Sequence, residues 1–239
     1  MRGLDPRGEA RVDTFGRDRQ PEALGLEHAY LTLREQHQVL SRFVASLERL
    51  LTAADQQDRD TNVLDLLGQT LRDAMDIIQA KDGSVLVLDP DTQELAFLLT
   101  AGDVPEDALL GFRIPAGQGV AGWVAASRRA VIVNNSNEDA RFYPDIDRAF
   151  EFRTESILAV PIVGGCEVLG VIEALNKKHG QRFTQSDKSL MMLLARVAGE
   201  VCNSLDQRAQ RVEAASQPVG DAPPVAREKR RAAWLQVGV

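Results

Sequence analysis

Apolar positions along the chain change period several times, and each change marks an element. Leu26, Tyr30, Leu33, His37, Leu40, Val44, Leu47, Leu51 and Ala54 recur at alternating steps of four and three. That is a heptad seam over 22–55, with Leu26, Leu33, Leu40 and Leu47 at d and Tyr30, His37, Val44 and Leu51 at a. Such a helix is marginal alone in water and needs a partner. The expected partner is a second copy of the chain, the alternative being another helix of the same chain. His37 on an a position either sets register or sits at a loose seam. Upstream, 1–21 mixes Arg, Asp, Gly and Pro without period and is expected to be disordered.

After the polar break "DQQDRDTN", the stripe Val63, Leu64, Leu67, Leu71, Met75 and Ile78 predicts an amphipathic helix over 62–79, capped by Asp60 or Thr61. The period then drops to that of strands. "GSVLVLD" and "ELAFLL" flank Asp89-Pro90-Asp91, so 83–99 reads as a hairpin. A helix opens after Gly117, and "AVIVNN" is a further strand. Residues 136–155 form a long polar loop with aromatic anchors and a short helix. "SILAVPIV" and "CEVLGVIEALNK" are strands joined at Gly164-Gly165, and 184–216 is a long helix. Thr184 and Asp187 stand at the spacing of a capping box. The sum is an α+β fold with an antiparallel central sheet and terminal helices on one face, preceded by a long coiled-coil-like helix. The domain is expected over 60–214, with a disordered tail at 215–239.

Composition narrows the function. The 44% hydrophobic content is enough for a sizeable core, and the net charge of −7 argues against nucleic acid as a partner. No apolar run reaches the ~18 residues that span a bilayer, and no signal peptide is visible, so no membrane partner and a cytoplasmic location are expected. Cys166 and Cys202 make no C-x-x-C, and no Cys/His cluster has zinc spacing, so no metal site is expected.

Candidate chemistry is that of binding rather than catalysis. No G-x-S-x-G, P-loop or H-E-x-x-H occurs, so no catalytic residue is assigned and the protein is expected not to be an enzyme. "GQGVAG" at 117–122 spells G-x-G-x-x-G, with Asp139 twenty residues past Gly119. A dinucleotide fold would need a buried parallel strand before it, whereas "GFRIPA" carries Arg113 and Pro115. What remains is a glycine-rich helix start, with Gly119 and Val120 placed to meet a ligand, or simply a tight loop. Glu173 lies between Val171 and Leu175 along one strand face, either at the sheet rim or facing a cavity. In the long loop, Asp139, Phe152, Arg153 and Thr154 bring rings and polar groups together as a small-molecule pocket does, and Ser156 follows at the strand start.

Taken in order, "IPAGQGVAGWVAASRRAVIVNN", "ARF", "FRTESILAVPI" and "VLGVIEALNKK…FTQSD" resemble the GAF domain family of small-molecule sensor modules, over about 60–205. The resemblance implies a ligand cavity on the sheet face away from the terminal helices, beneath the mid-domain loop. The family's cyclic-nucleotide phosphodiesterase members carry an Asn-Lys…Phe…Asp-Glu signature. Asn176, Lys177, Phe183 and Asp187 match it, and Lys188 stands where it has Glu. Here these residues read as a structural clasp, with Lys177 and Asp187 tying strand to helix around Phe183. Some relatives reduce free methionine sulfoxide, chemistry that needs closely placed cysteines. The expected function is a non-enzymatic signalling module. It binds a small cytoplasmic ligand, a cyclic nucleotide or another metabolite, and relays it through terminal helices of a homodimer to an effector protein. The alternative is a ligand-free dimerisation or scaffold module.

Overall fold

A computed structural model of the chain describes residues 19–55, 62–102 and 109–216. Of the segments expected to be disordered, 1–18 and 217–239 lie outside the described residues. The chain divides into two compact units, Met1–Gln38 and Val39–Val239, and the division falls within the first helix, α1 (Arg19–Asp55).

In the first unit, the seam residues Leu26, Tyr30 and Leu33 are exposed. In the second, Leu40, Val44 and Leu51 are exposed as well, but Leu47 is not. It is buried beside Phe43 and Leu50, and the three join the domain core. Their i, i+4, i+7 spacing makes a second stripe, offset from the heptad seam, and this stripe docks on the domain. Leu47 therefore serves the domain core rather than a coiled coil.

Helix α2 (Val63–Ile78) starts at Asn62, whose side chain accepts from the amides of Leu64 and Asp65. The cap is thus Asn62 and not a residue before it. Six strands follow among the described residues: β1 (Ala80–Leu88), β2 (Leu95–Ala101), β3 (Arg113–Ile114), β4 (Val131–Val133), β5 (Ile157–Gly164) and β6 (Glu167–Lys177). They form one sheet in the order β3-β2-β1-β6-β5-β4, antiparallel throughout. The β1–β2 turn is drawn in by Asp89, whose carboxylate accepts from the amides of Asp91 and Thr92. Arg113 pairs with both Asp89 and Glu94, which fastens the short strand β3 that periodicity does not reveal. The β5–β6 turn falls on Gly165-Cys166, with Gly164 still paired to Glu167. Gly165 has φ +60°, which glycine adopts without strain.

Among the described residues, three further α-helices follow: α3 (Gly119–Ser127), α4 (Asp145–Ala149) and α5 (Gln185–Ser216). Alternation along the central strands splits the core in two. Val85, Leu158, Val160, Ile172 and Ala174 face α2, α5 and the end of α1. Leu86, Phe97, Ala159 and Val171 face α3 and the loop 136–155. The fold is the expected α+β arrangement, with α2 and α5 on one face.

Candidate functional site

On the second face of the sheet lies a cavity of about 70 Å³. A single water needs about 10–15 Å³, so there is room for several waters or a small ligand group. Its floor comes from the three central strands. Ser84 of β1 stands directly opposite Thr100 of β2 on one side and Glu173 of β6 on the other. Cross-strand partners share a face, so Thr100, Ser84 and Glu173 form one polar row. All three are buried. Among the described residues, the hydroxyls of Ser84 and Thr100 have no hydrogen-bond partner. Glu173 is 8% exposed, and burial alone pushes its carboxyl up to about 7, with no hydrogen bond or cation among the described residues to offset the desolvation.

The walls are apolar: Phe97, Ile114, Val120, Ile157 and Leu175. The roof is the loop 136–155, which brings Phe142, Tyr143, Ile146, Phe150 and Phe152 over the row. Phe150 meets Phe112 edge to face, with ring centroids 5.2 Å apart. Asp147 of α4 accepts from the amide and the hydroxyl of Thr154, both at 2.7 Å, which folds the roof back on itself. Ser136 donates to the Thr154 carbonyl and anchors the other end of the loop. Helix α3 begins at the cavity. Its N-cap, Gln118, makes no side-chain cap bond, and Gly119 has φ +72°. A Cβ on Gly119 would come within 3.2 Å of Tyr143 Cβ, so glycine serves both the turn and the roof contact.

Of the residues singled out from the sequence, Gly119, Val120, Phe152, Thr154 and Glu173 all line this cavity. Three others do not. Asp139 turns to Arg141, whose Nε and Nη2 donate to its two oxygens at 2.8 and 2.6 Å. That guanidinium holds Asp139 below the usual carboxylate range and lies 4.5 Å over the Trp123 ring. Arg153 is 81% exposed at its side chain and pairs with Glu155. Ser156 is buried but spends its hydroxyl on the amide of Lys177. Sequence reasoning overlooked Ser84, Thr100 and Asp147. The first two carried a signal: each is a hydroxyl at an inward position of an apolar strand.

The Asn176–Asp187 stretch fastens the domain edge. Asn176 has φ +59°. Its side chain accepts from the Glu155 amide at 2.7 Å and donates to the Arg153 carbonyl at 2.9 Å, pinning the end of the roof loop to β6. Lys177 Nζ lies 2.7 Å from Asp187 Oδ2, with side chains 7% and 12% exposed. The same Asp187 oxygen accepts from the Thr184 amide, and Thr184 Oγ1 accepts from the Asp187 amide, closing the capping box of α5. Phe183 is buried beside them, held by Asn134 through its amide and carbonyl.

A family model described as GAF domain matches residues 60–201. The chain is 38% identical over 78 residues to the rod cGMP-specific 3',5'-cyclic phosphodiesterase subunit alpha of Bos taurus, a match that covers 33% of this chain and 9% of that protein. Among solved structures, it is similar to the GAF domain from Acinetobacter phosphoenolpyruvate-protein phosphotransferase (21% identity, TM-score 0.54, 75% of this chain and 97% of that one). It is also similar to free methionine-R-sulfoxide reductase from Neisseria meningitidis in complex with its substrate (18% identity, TM-score 0.54, 70% and 91%). At these identities the structures attest the fold alone.

Proposed function

The chain belongs to the GAF domain family of sensor and regulatory modules, and from that premise we propose that it binds a small ligand in the cavity over Thr100, Ser84 and Glu173. One observation carries this reading. On one cavity floor, two buried hydroxyls, Ser84 and Thr100, find no hydrogen-bond partner among the described residues, and Glu173 beside them is buried with desolvation the sole cause of its raised proton affinity. Leaving such groups unsatisfied costs about 1–3 kcal/mol each, a cost that a ligand would relieve. A cyclic nucleotide is the first ligand to test, because the likeness to the rod phosphodiesterase exceeds 30% identity over the matched stretch.

The role is regulatory rather than enzymatic. Cys166 is exposed in the β5–β6 turn and Cys202 lies on α5, and neither lines the cavity. The output is mechanical. The end of the roof loop is held by the side chain of Asn176 in β6, the next residue is Lys177, and Lys177 grips the first turn of α5 through Asp187. Ligand and output helix thus bear on neighbouring residues of β6. A ligand shifts this element only as far as it binds two arrangements with different affinity. The exposed seam residues of α1 pair with a second copy, and a cytoplasmic effector protein reads the dimer. Calorimetry with cAMP and cGMP is the test, with saturable one-site heat expected for one of them. Heat from neither, together with no small-molecule adduct in native mass spectra of the purified protein, would overturn the reading.

A further inference from the structure

Resting on the cavity as a ligand site, we infer that its floor is built for a nitrogen-rich group: an amine, amidine or amino-substituted heterocycle offering several N–H donors at once. The floor offers chiefly acceptors. Glu173 has two oxygens, and the hydroxyls of Ser84 and Thr100 have two lone pairs each. Adjacent strands lie about 4.8 Å apart, so the row runs roughly 10 Å across three strands. No Lys, Arg or His stands among the described lining residues. The other ionisable groups facing the cavity are Tyr143 and Asp147, and Asp147 already accepts twice from Thr154. A carboxylate or phosphate laid on this floor would meet Glu173 with nothing to neutralise the pair. An N–H cluster would satisfy the whole row. Four phenylalanine rings, Phe97, Phe142, Phe150 and Phe152, line the space above and suit a flat, apolar-faced molecule.

A cationic ligand needs Glu173 ionised, and burial holds its proton up to about 7. Cation affinity should therefore rise about tenfold from pH 6 to pH 8, as the ionised fraction does. Benzamidine, benzamide and benzoate test this, since all three are flat rings of one size that differ only in the head group. Each is titrated calorimetrically into the full chain at both pH values. Benzamidine is expected to bind, about tenfold more tightly at pH 8, with benzamide weaker and benzoate showing no heat. Glu173→Gln should lower benzamidine affinity at least tenfold and flatten its pH dependence. Ser84→Ala with Thr100→Val should weaken it severalfold with Glu173 intact, which covers the case of a misfolded E173Q.

Benzoate binding as well as benzamidine, benzamidine binding unchanged by E173Q, or no probe binding would each overturn the assignment. Cyclic-nucleotide calorimetry and native mass spectra on the same preparation separate the two levels. A ligand detected there, with the probes failing, sinks only the nitrogen-rich floor. Failure of both sinks the cavity reading beneath it.

Discussion

Glu173 should make the stability of the whole domain fall with rising pH. Its carboxyl moves from an ordinary 4.5 up to about 7 because folding takes it out of water without supplying a partner. The folded state holds the proton between those values while the unfolded chain has released it. Unfolding then releases a proton, and stability declines as pH rises through that window. Below about pH 4.5 both states are protonated and the penalty is absent; above about 7 both are ionised and it is complete. Each tenfold change in proton affinity is worth about 1.4 kcal/mol, so the full penalty is on the order of 3 kcal/mol. Glu173→Gln keeps the shape and removes the proton. Urea unfolding of both proteins at pH 5, 6, 7 and 8 is the assay. The variant should lie within about 1 kcal/mol of the native chain at pH 5 and exceed it by about 3 kcal/mol at pH 8. Curves that stay parallel across the range would mean that water reaches the carboxylate in the folded state, and the account of a dry, unpartnered acid would fail.

Three further expectations concern separate parts of the molecule. Lys177→Met removes the cation from a pair whose Lys177 and Asp187 side chains are 7% and 12% exposed, leaving the Asp187 carboxylate with the Thr184 amide, so urea unfolding should show a loss of about 3 kcal/mol, and a loss under about 1 would class the pair with exposed bridges. Ser84→Ala with Thr100→Val removes two hydroxyls without a partner among the described residues, so the unliganded chain should be unchanged or gain up to about 1 kcal/mol; a loss beyond about 2 kcal/mol would reveal further partners. Leu26→Glu with Leu33→Glu alters exposed seam positions and should cost the single chain within about 0.5 kcal/mol while shifting sedimentation from dimer to monomer. A native chain that already sediments as a monomer would end the dimer proposal.

Much of the fold is legible from local period. The stripe of α2, the short apolar runs of β1, β2, β5 and β6 and the capping box of α5 each depend on neighbours a few residues away. Residue types a few positions apart determine which face is apolar, and so the α+β class follows from the chain itself. The motif from Asn176 to Asp187 was legible for the same reason. Its Lys177–Asp187 pair and Thr184 capping box are short-range along the chain, whereas the bonds of Asn176 to Asp82 and the roof loop, of the Lys177 amide to Ser156 and of Phe183 to Asn134 are long-range.

Register and competition between partners decided the rest. Thr100, Ser84 and Glu173 become one row only because β1 pairs with β2 on one side and β6 on the other. A slip of one residue would turn those side chains to the opposite face. Within the roof loop, every donor and acceptor looked equally available in the sequence. Folding gave Asp139 to Arg141, Ser156 to Lys177 and Arg153 to solvent, leaving Thr154 and Asp147 at the cavity. The heptad seam was plain in the sequence, yet Leu47 went to the domain with Phe43 and Leu50. One helix carries two overlapping apolar stripes, and only the packed structure determines which of them the domain core takes.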